Sequence, residues 1–161
     1  MEEKRNEDFT LMNKFICFCM LAFLGLGSCN DNTGGGGAFI PDVPVNITIN
    51  TQLPLYFHLQ NLGGYALING GSRGIFLVHG FDDTYYALER TCTYLSDLTC
   101  SVIQIDSQNI QLKCGTYSQG AYSECCKSKF SFDGNVLESP STYPLKRYVV
   151  TDNDGVLYIR N

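Results

Sequence analysis

From residue 39 onward the chain alternates short runs of β-branched, aliphatic and aromatic residues with turn-forming residues. This is the pattern of strands linked by tight turns, and no segment there carries a helical period. The runs predict strands at residues 45–49, 65–68, 74–79, 85–90, 101–105, 110–113, 129–132, 148–151 and 156–160. Gly80-Phe81-Asp82-Asp83, Asp106-Ser107-Gln108-Asn109 and Asp152-Asn153-Asp154-Gly155 each separate two runs at hairpin-loop length. Three such hairpins imply antiparallel sheets. Pro41, Pro44 and Pro54 confine the first run to an edge or to coil, because proline cannot donate to an interior ladder. The expected fold is all-β, a small antiparallel sandwich or barrel built from hairpins.

The amino-terminal pattern is different. Residues 15–26, FICFCMLAFLGL, form an apolar run preceded by Lys14. That run has the length of a signal-peptide core and is too short for a bilayer span. It ends Leu26-Gly27-Ser28-Cys29, which resembles the lipobox of bacterial lipoproteins. The resemblance implies that Cys29 is lipidated and becomes the first residue of the mature chain. Residues 1–28 are thus expected to be a lipoprotein signal peptide, with Met12 a candidate initiator. Residues 29–38, which include four consecutive glycines, read as a flexible tether, and residues 39–161 as one domain. No Lys-Ser/Thr pair follows the glycines, so they do not make a phosphate-binding loop.

Composition narrows the functions. The 161 residues are 44% hydrophobic and 17% charged, enough for one core. A net charge of −5 argues against a nucleic-acid partner. Eight cysteines, two histidines and no tryptophan point to an oxidising compartment and exclude metal sites built on several imidazoles. Beyond the leader and Cys29, five cysteines remain: Cys92, Cys100, Cys114, Cys125 and Cys126. An odd count leaves at least one unpaired. Phe76, Phe81, Tyr85 and Tyr86 read as core and turn packing, and Lys127, Lys129, Lys146 and Arg147 as a solvated edge that discourages sheet association. No Ser/His/acid constellation has motif context, so a hydrolytic site is not expected.

The stretch 74–160 resembles a Rieske iron–sulfur domain. The resemblance rests on Ser128-x-Phe130, Gly134-x-Val136, Pro140, Pro144-Leu145, Tyr148-x-Val150 and Asp154-Gly155-x-Leu157-x-Ile159, which follow the order and spacing of that family's second loop and closing hairpin. The family's first loop, Cys-Thr-His, corresponds to Cys92-Thr93-Tyr94. Its second, Cys-x-x-His, corresponds to Ser123-Glu124-Cys125-Cys126. The four ligand positions are therefore Cys92, Tyr94, Ser123 and Cys126, with three of the four residue types changed. A second register, laid on Cys114-Gly115-Thr116-Tyr117, restores the cysteine and puts tyrosine in the histidine slot.

A Rieske centre keeps two imidazoles on one iron. Here a phenol with a pKa near ~10 stands at Tyr94, and Ser123 is a weak ligand. The resemblance also implies a disulfide, since some members join positions corresponding to Cys100 and Cys125. A second pair, Cys92 with Cys126, would leave Cys114 free. A zinc site from Cys92, Cys114, Cys125 and Cys126 and a thiol–disulfide module at Cys125-Cys126 are further alternatives.

The expected protein is a non-catalytic envelope lipoprotein on a bacterial membrane, facing the periplasm or in the outer membrane. Its degenerate Rieske-like domain would hold no conventional cofactor and serve as a binding or structural module for an envelope protein partner. The alternative is an electron-transfer subunit holding a [2Fe–2S] cluster through Cys92, Cys126 and some of the remaining cysteines.

Overall fold

The computed structural model describes residues 39–161. The expected leader, Cys29 and the tether lie outside the described residues. Ten strands form two antiparallel sheets. Strands β1 (Asn46–Asn50), β2 (Tyr65–Ile68), β3 (Ile75–His79), β4 (Tyr85–Glu89), β9 (Arg147–Asn153) and β10 (Val156–Arg160) make a six-stranded sheet in the order β1-β10-β9-β4-β3-β2. Between β4 and β9 the chain inserts a second sheet of β5 (Ile103–Asp106), β6 (Gln111–Ser118), β7 (Ala121–Phe130) and β8 (Val136–Glu138). The expected all-β fold is the one observed.

The Ile-Phe-Leu-Val run of β3 explains how the layers are joined. A strand sends successive side chains to opposite faces, so a continuous apolar run must be covered on both. Ile75 and Leu77 enter one core, with Leu59, Ala87, Tyr148, Leu157 and Ile159. Phe76 and Val78 enter the other, with Leu88, Ile103, Leu112, Phe130 and Leu145. The first core lines the inner face of the large sheet, and the second seals the inserted sheet onto it. Phe76 and Phe130 are almost fully buried, and each contributes about 1.5–3 kcal/mol through that burial.

Each hairpin anticipated from turn chemistry is present: β3 pairs with β4, β5 with β6, and β9 with β10. Asp154 and Gly155 both take positive φ (50° and 82°), the two-residue turn whose twist matches the flanking strands. The proline-flanked first strand is an edge strand, paired only with β10.

Three elements depart from the sequence reading, one of them β8 at Val136–Glu138, where no strand was expected. Residues 57–60 form a short 3₁₀ turn that places Leu59 in the first core. The β6–β7 hairpin is much longer than the predicted runs 110–113 and 129–132: it continues through the cysteine-rich segment to a turn at Gln119-Gly120. That segment, Cys-Gly-Thr-Tyr-Ser facing Ala-Tyr-Ser-Glu-Cys-Cys, has no two-residue hydrophobic alternation, so its side chains gave no strand signal. Backbone pairing and the Tyr117–Tyr122 ring contact, 5.4 Å between centroids, hold it instead.

Candidate functional site

The cysteines meet where the inserted sheet joins the large one. Cys92 follows β4 and is fully buried. Cys114 lies on β6 and is also fully buried, while Cys126 lies on β7 and is half-buried. A break in the β6–β7 register brings them together. Lys113 pairs with Lys129 but Gly115 pairs with Glu124, so five steps along β7 are spanned by two along β6. Residues 125–128 stand opposite the single residue Cys114, three more than a regular ladder would hold, and the bulge re-aims them. Cys126 turns to Cys92, with sulfurs 3.9 Å apart, and Cys125 turns to Cys100, with which it forms a disulfide.

Polar contacts fix the surrounding loops. The Thr93 hydroxyl lies 2.7 Å from the Ser141 hydroxyl and donates to the Tyr143 carbonyl at 2.7 Å. The Ser141 N–H donates to the buried Ser128 hydroxyl at 2.8 Å. The Arg73 guanidinium donates to the Leu98 and Ser101 carbonyls at 2.6 and 3.1 Å, pinning the loop that carries Cys100. Gly115 permits the close strand approach at the break, because a Cβ there would overlap the Ser123 carbonyl and meet the Tyr122 hydroxyl. That hydroxyl donates to the Cys114 carbonyl at 2.8 Å. Gly115→Ala is expected to cost about 1–3 kcal/mol by overpacking. A lowered urea midpoint at unchanged slope checks this.

The thiol sulfurs of Cys92, Cys114 and Cys126 all lie within 4.8 Å of one another. Hydrogen bonding from the Cys114 thiol, aided by the Tyr94 N–H, the Ser101 hydroxyl and the Cys126 thiol, outweighs burial and lowers the Cys92 pKa to about 6. The same contact with Cys92, together with burial, pushes the Cys114 thiol far upward.

The four positions matched to cluster ligands differ in their surroundings. Cys92 and Cys126 are adjacent, but Ser123 is exposed on β7, and Tyr94 is half-buried against the second core. Cys114, named by the second register and by the zinc alternative, joins the site, whereas Tyr117 of that register is exposed. Both histidines stand apart. His58 is exposed, and His79 is buried with its ring nitrogens 2.9 Å from the Leu59 carbonyl and the Asp83 carboxylate.

The donor set does not fit a Rieske [2Fe–2S] centre, which needs two imidazoles on one iron and two thiolates on the other. Three sulfurs this close surround one point and do not flank a two-iron rhomb. The four-cysteine zinc set also changes, because Cys125 is consumed in the disulfide. Of the basic residues read as a solvated edge, Lys129, Lys146 and Arg147 are engaged in ion pairs with Glu138, Asp42 and Asp133.

The chain has a Rieske-like all-β fold, in which the loop 92–101 and the bulge of β7 at 125–128 converge beside the inserted sheet. Among solved structures, the chain is similar to the cyanobacterial plasma membrane Rieske protein PetC3 from Synechocystis PCC 6803, with a TM-score of 0.51 and 18% identity over 71% of this chain and 99% of that one. It is also similar to the ferredoxin of carbazole 1,9a-dioxygenase from Nocardioides aromaticivorans IC177, with a TM-score of 0.42 and 16% identity over 72% of this chain and 95% of that one. No protein-family model matches the chain, and no curated protein matches it.

Proposed function

We propose that this chain is a lipid-anchored bacterial envelope protein whose Rieske-like domain is a non-catalytic binding module without a conventional iron–sulfur cluster. The observation that carries the reading is the donor set at the loop junction: three thiols and no imidazole, with both histidines elsewhere. The Cys100–Cys125 disulfide supports it further, since it ties the two loops together covalently and a cluster is not required to clamp them. The lipobox-like Leu26-Gly27-Ser28-Cys29 and the glycine tether support anchoring at a membrane surface. A disulfide beside an anchored leader is consistent with an extracytoplasmic location.

The test is purification of the full chain under anaerobic conditions from iron-replete cells, followed by iron and acid-labile sulfide analysis and a visible spectrum. A colourless protein free of labile sulfide is the expected result. The three converging thiols are what favours the other reading, an electron carrier with an atypical cluster. Stoichiometric iron and sulfide in a brown protein would establish that reading and overturn ours.

A further inference from the structure

We infer that Cys92, Cys114 and Cys126 form a three-thiolate site for a single Cu(I) ion. The inference rests on the cluster-free reading above and specifies what the domain binds.

Three observations carry it. The first is convergence: the sulfurs come from three separate segments, the loop after β4, the middle of β6 and the bulge of β7, and meet within 4.8 Å. Buried cysteines often act simply as small hydrophobes. Here, however, a bulge of the β7 backbone is spent on turning Cys126 toward Cys92 and away from a regular ladder position.

The second is size. A metal–thiolate bond of about 2.3 Å in a trigonal arrangement puts sulfurs about 4 Å apart. Cys92 and Cys126 are 3.9 Å apart before any adjustment, and the remaining spacings lie inside 4.8 Å.

The third is the donor count. The described His, Cys, Asp and Glu residues supply three sulfurs and no fourth ligand to this point. Zinc in a structural site takes four ligands, whereas soft thiolates select Cu(I), which is satisfied by three. The Ser101 hydroxyl donates to the Tyr94 carbonyl at 2.7 Å and lies 3.9 Å from the Cys114 sulfur, a polar contact beside the ligands of the kind that holds them in place.

In the oxidising compartment proposed above, a half-buried Cys126 beside a buried Cys92 would be exposed to disulfide formation. An ion held by all three sulfurs removes that vulnerability. Binding forms three copper–sulfur bonds, releases the thiol protons to solvent and transfers no electron.

The experiment uses the full chain in detergent, purified anaerobically without a thiol reductant so that Cys100–Cys125 stays intact. Copper is offered as the Cu(I)–bicinchoninate complex. The expected result is withdrawal of one Cu(I) per chain, three sulfur neighbours by X-ray absorption, and protection of all three thiols from alkylation. Cys114→Ser and, separately, Cys126→Ser should each weaken uptake by at least ~100-fold, a larger effect than loss of an outer-shell partner. Cys126 is half-buried, so its variant tests the site even if the Cys114 variant fails to fold.

The inference is overturned if the native chain takes no more copper than Cys92→Ser/Cys114→Ser/Cys126→Ser. It is overturned equally if peptide mapping of the anaerobic protein finds Cys92 joined to Cys126, or if Zn(II) binds while Cu(I) is refused. Labile sulfide in the isolated protein would instead defeat the cluster-free reading, so the two failures are distinguishable.

Discussion

Replacing Glu89 with alanine is expected to lower the unfolding free energy by about 3–5 kcal/mol, the cost of leaving partners of a buried charge unsatisfied. Glu89 closes β4, is fully buried, and accepts hydrogen bonds from five donors. The Ser72 and Arg73 N–H groups reach it at 2.7 and 3.0 Å, the Thr91 N–H and hydroxyl at 2.9 Å each, and the Tyr148 hydroxyl at 2.7 Å. The carboxylate thereby joins the loop before β3, the start of the cysteine-bearing loop and β9. Arg73 in turn holds residues 98–101, so loss of Glu89 should also loosen the Cys100 loop.

Burial alone would push the Glu89 carboxyl up. The hydrogen bonds from Ser72, Tyr148, Arg73 and Thr91 outweigh it and hold the pKa below the ordinary 4.5. A carboxyl whose folded pKa is depressed contributes its full stability above the unfolded value and loses it as pH falls through the folded one. Chemical denaturation between neutral pH and pH ~3 should therefore show a decline below about 4.5 that is reduced in Glu89→Gln. An equal decline in both proteins would show that other carboxylates set the acid limit.

Removing the disulfide as Cys100→Ala/Cys125→Ala is expected to cost about 3.5 kcal/mol by the chain-entropy model, given a sequence separation of 25. The effect should be reproduced by reductant in the native chain and be absent when reductant is added to the variant. Thermal unfolding of both proteins with and without reductant checks it. If the double variant unfolds at the native temperature, the loops are held by Arg73 and the Thr93–Ser141–Ser128 contacts, and the bridge is dispensable.

Much of the fold was legible because its cause is local. A run such as Ile75-Phe76-Leu77-Val78 is apolar on both faces, and Asp154-Gly155 forms a two-residue turn whatever surrounds it. The β6–β7 hairpin beyond Lys113 was not legible, since Gly115, Ser123 and Glu124 carry no strand pattern and are held by ladder bonds to partners remote in sequence. Glu89 was missed as well. A single glutamate at the end of a strand run looks like an exposed residue until Tyr148 and the 72–73 backbone are brought beside it.

The same division runs through the site. Residue type and spacing in the chain determined an antiparallel β domain, and a composition of two histidines limited how many imidazoles any site could hold. Only the tertiary structure decided that Cys114 completes the group while Ser123 faces solvent. The reason is physical: which way a strand residue points is set by register, and register here changes at Cys114 through a bulge on the neighbouring strand that the local sequence does not encode.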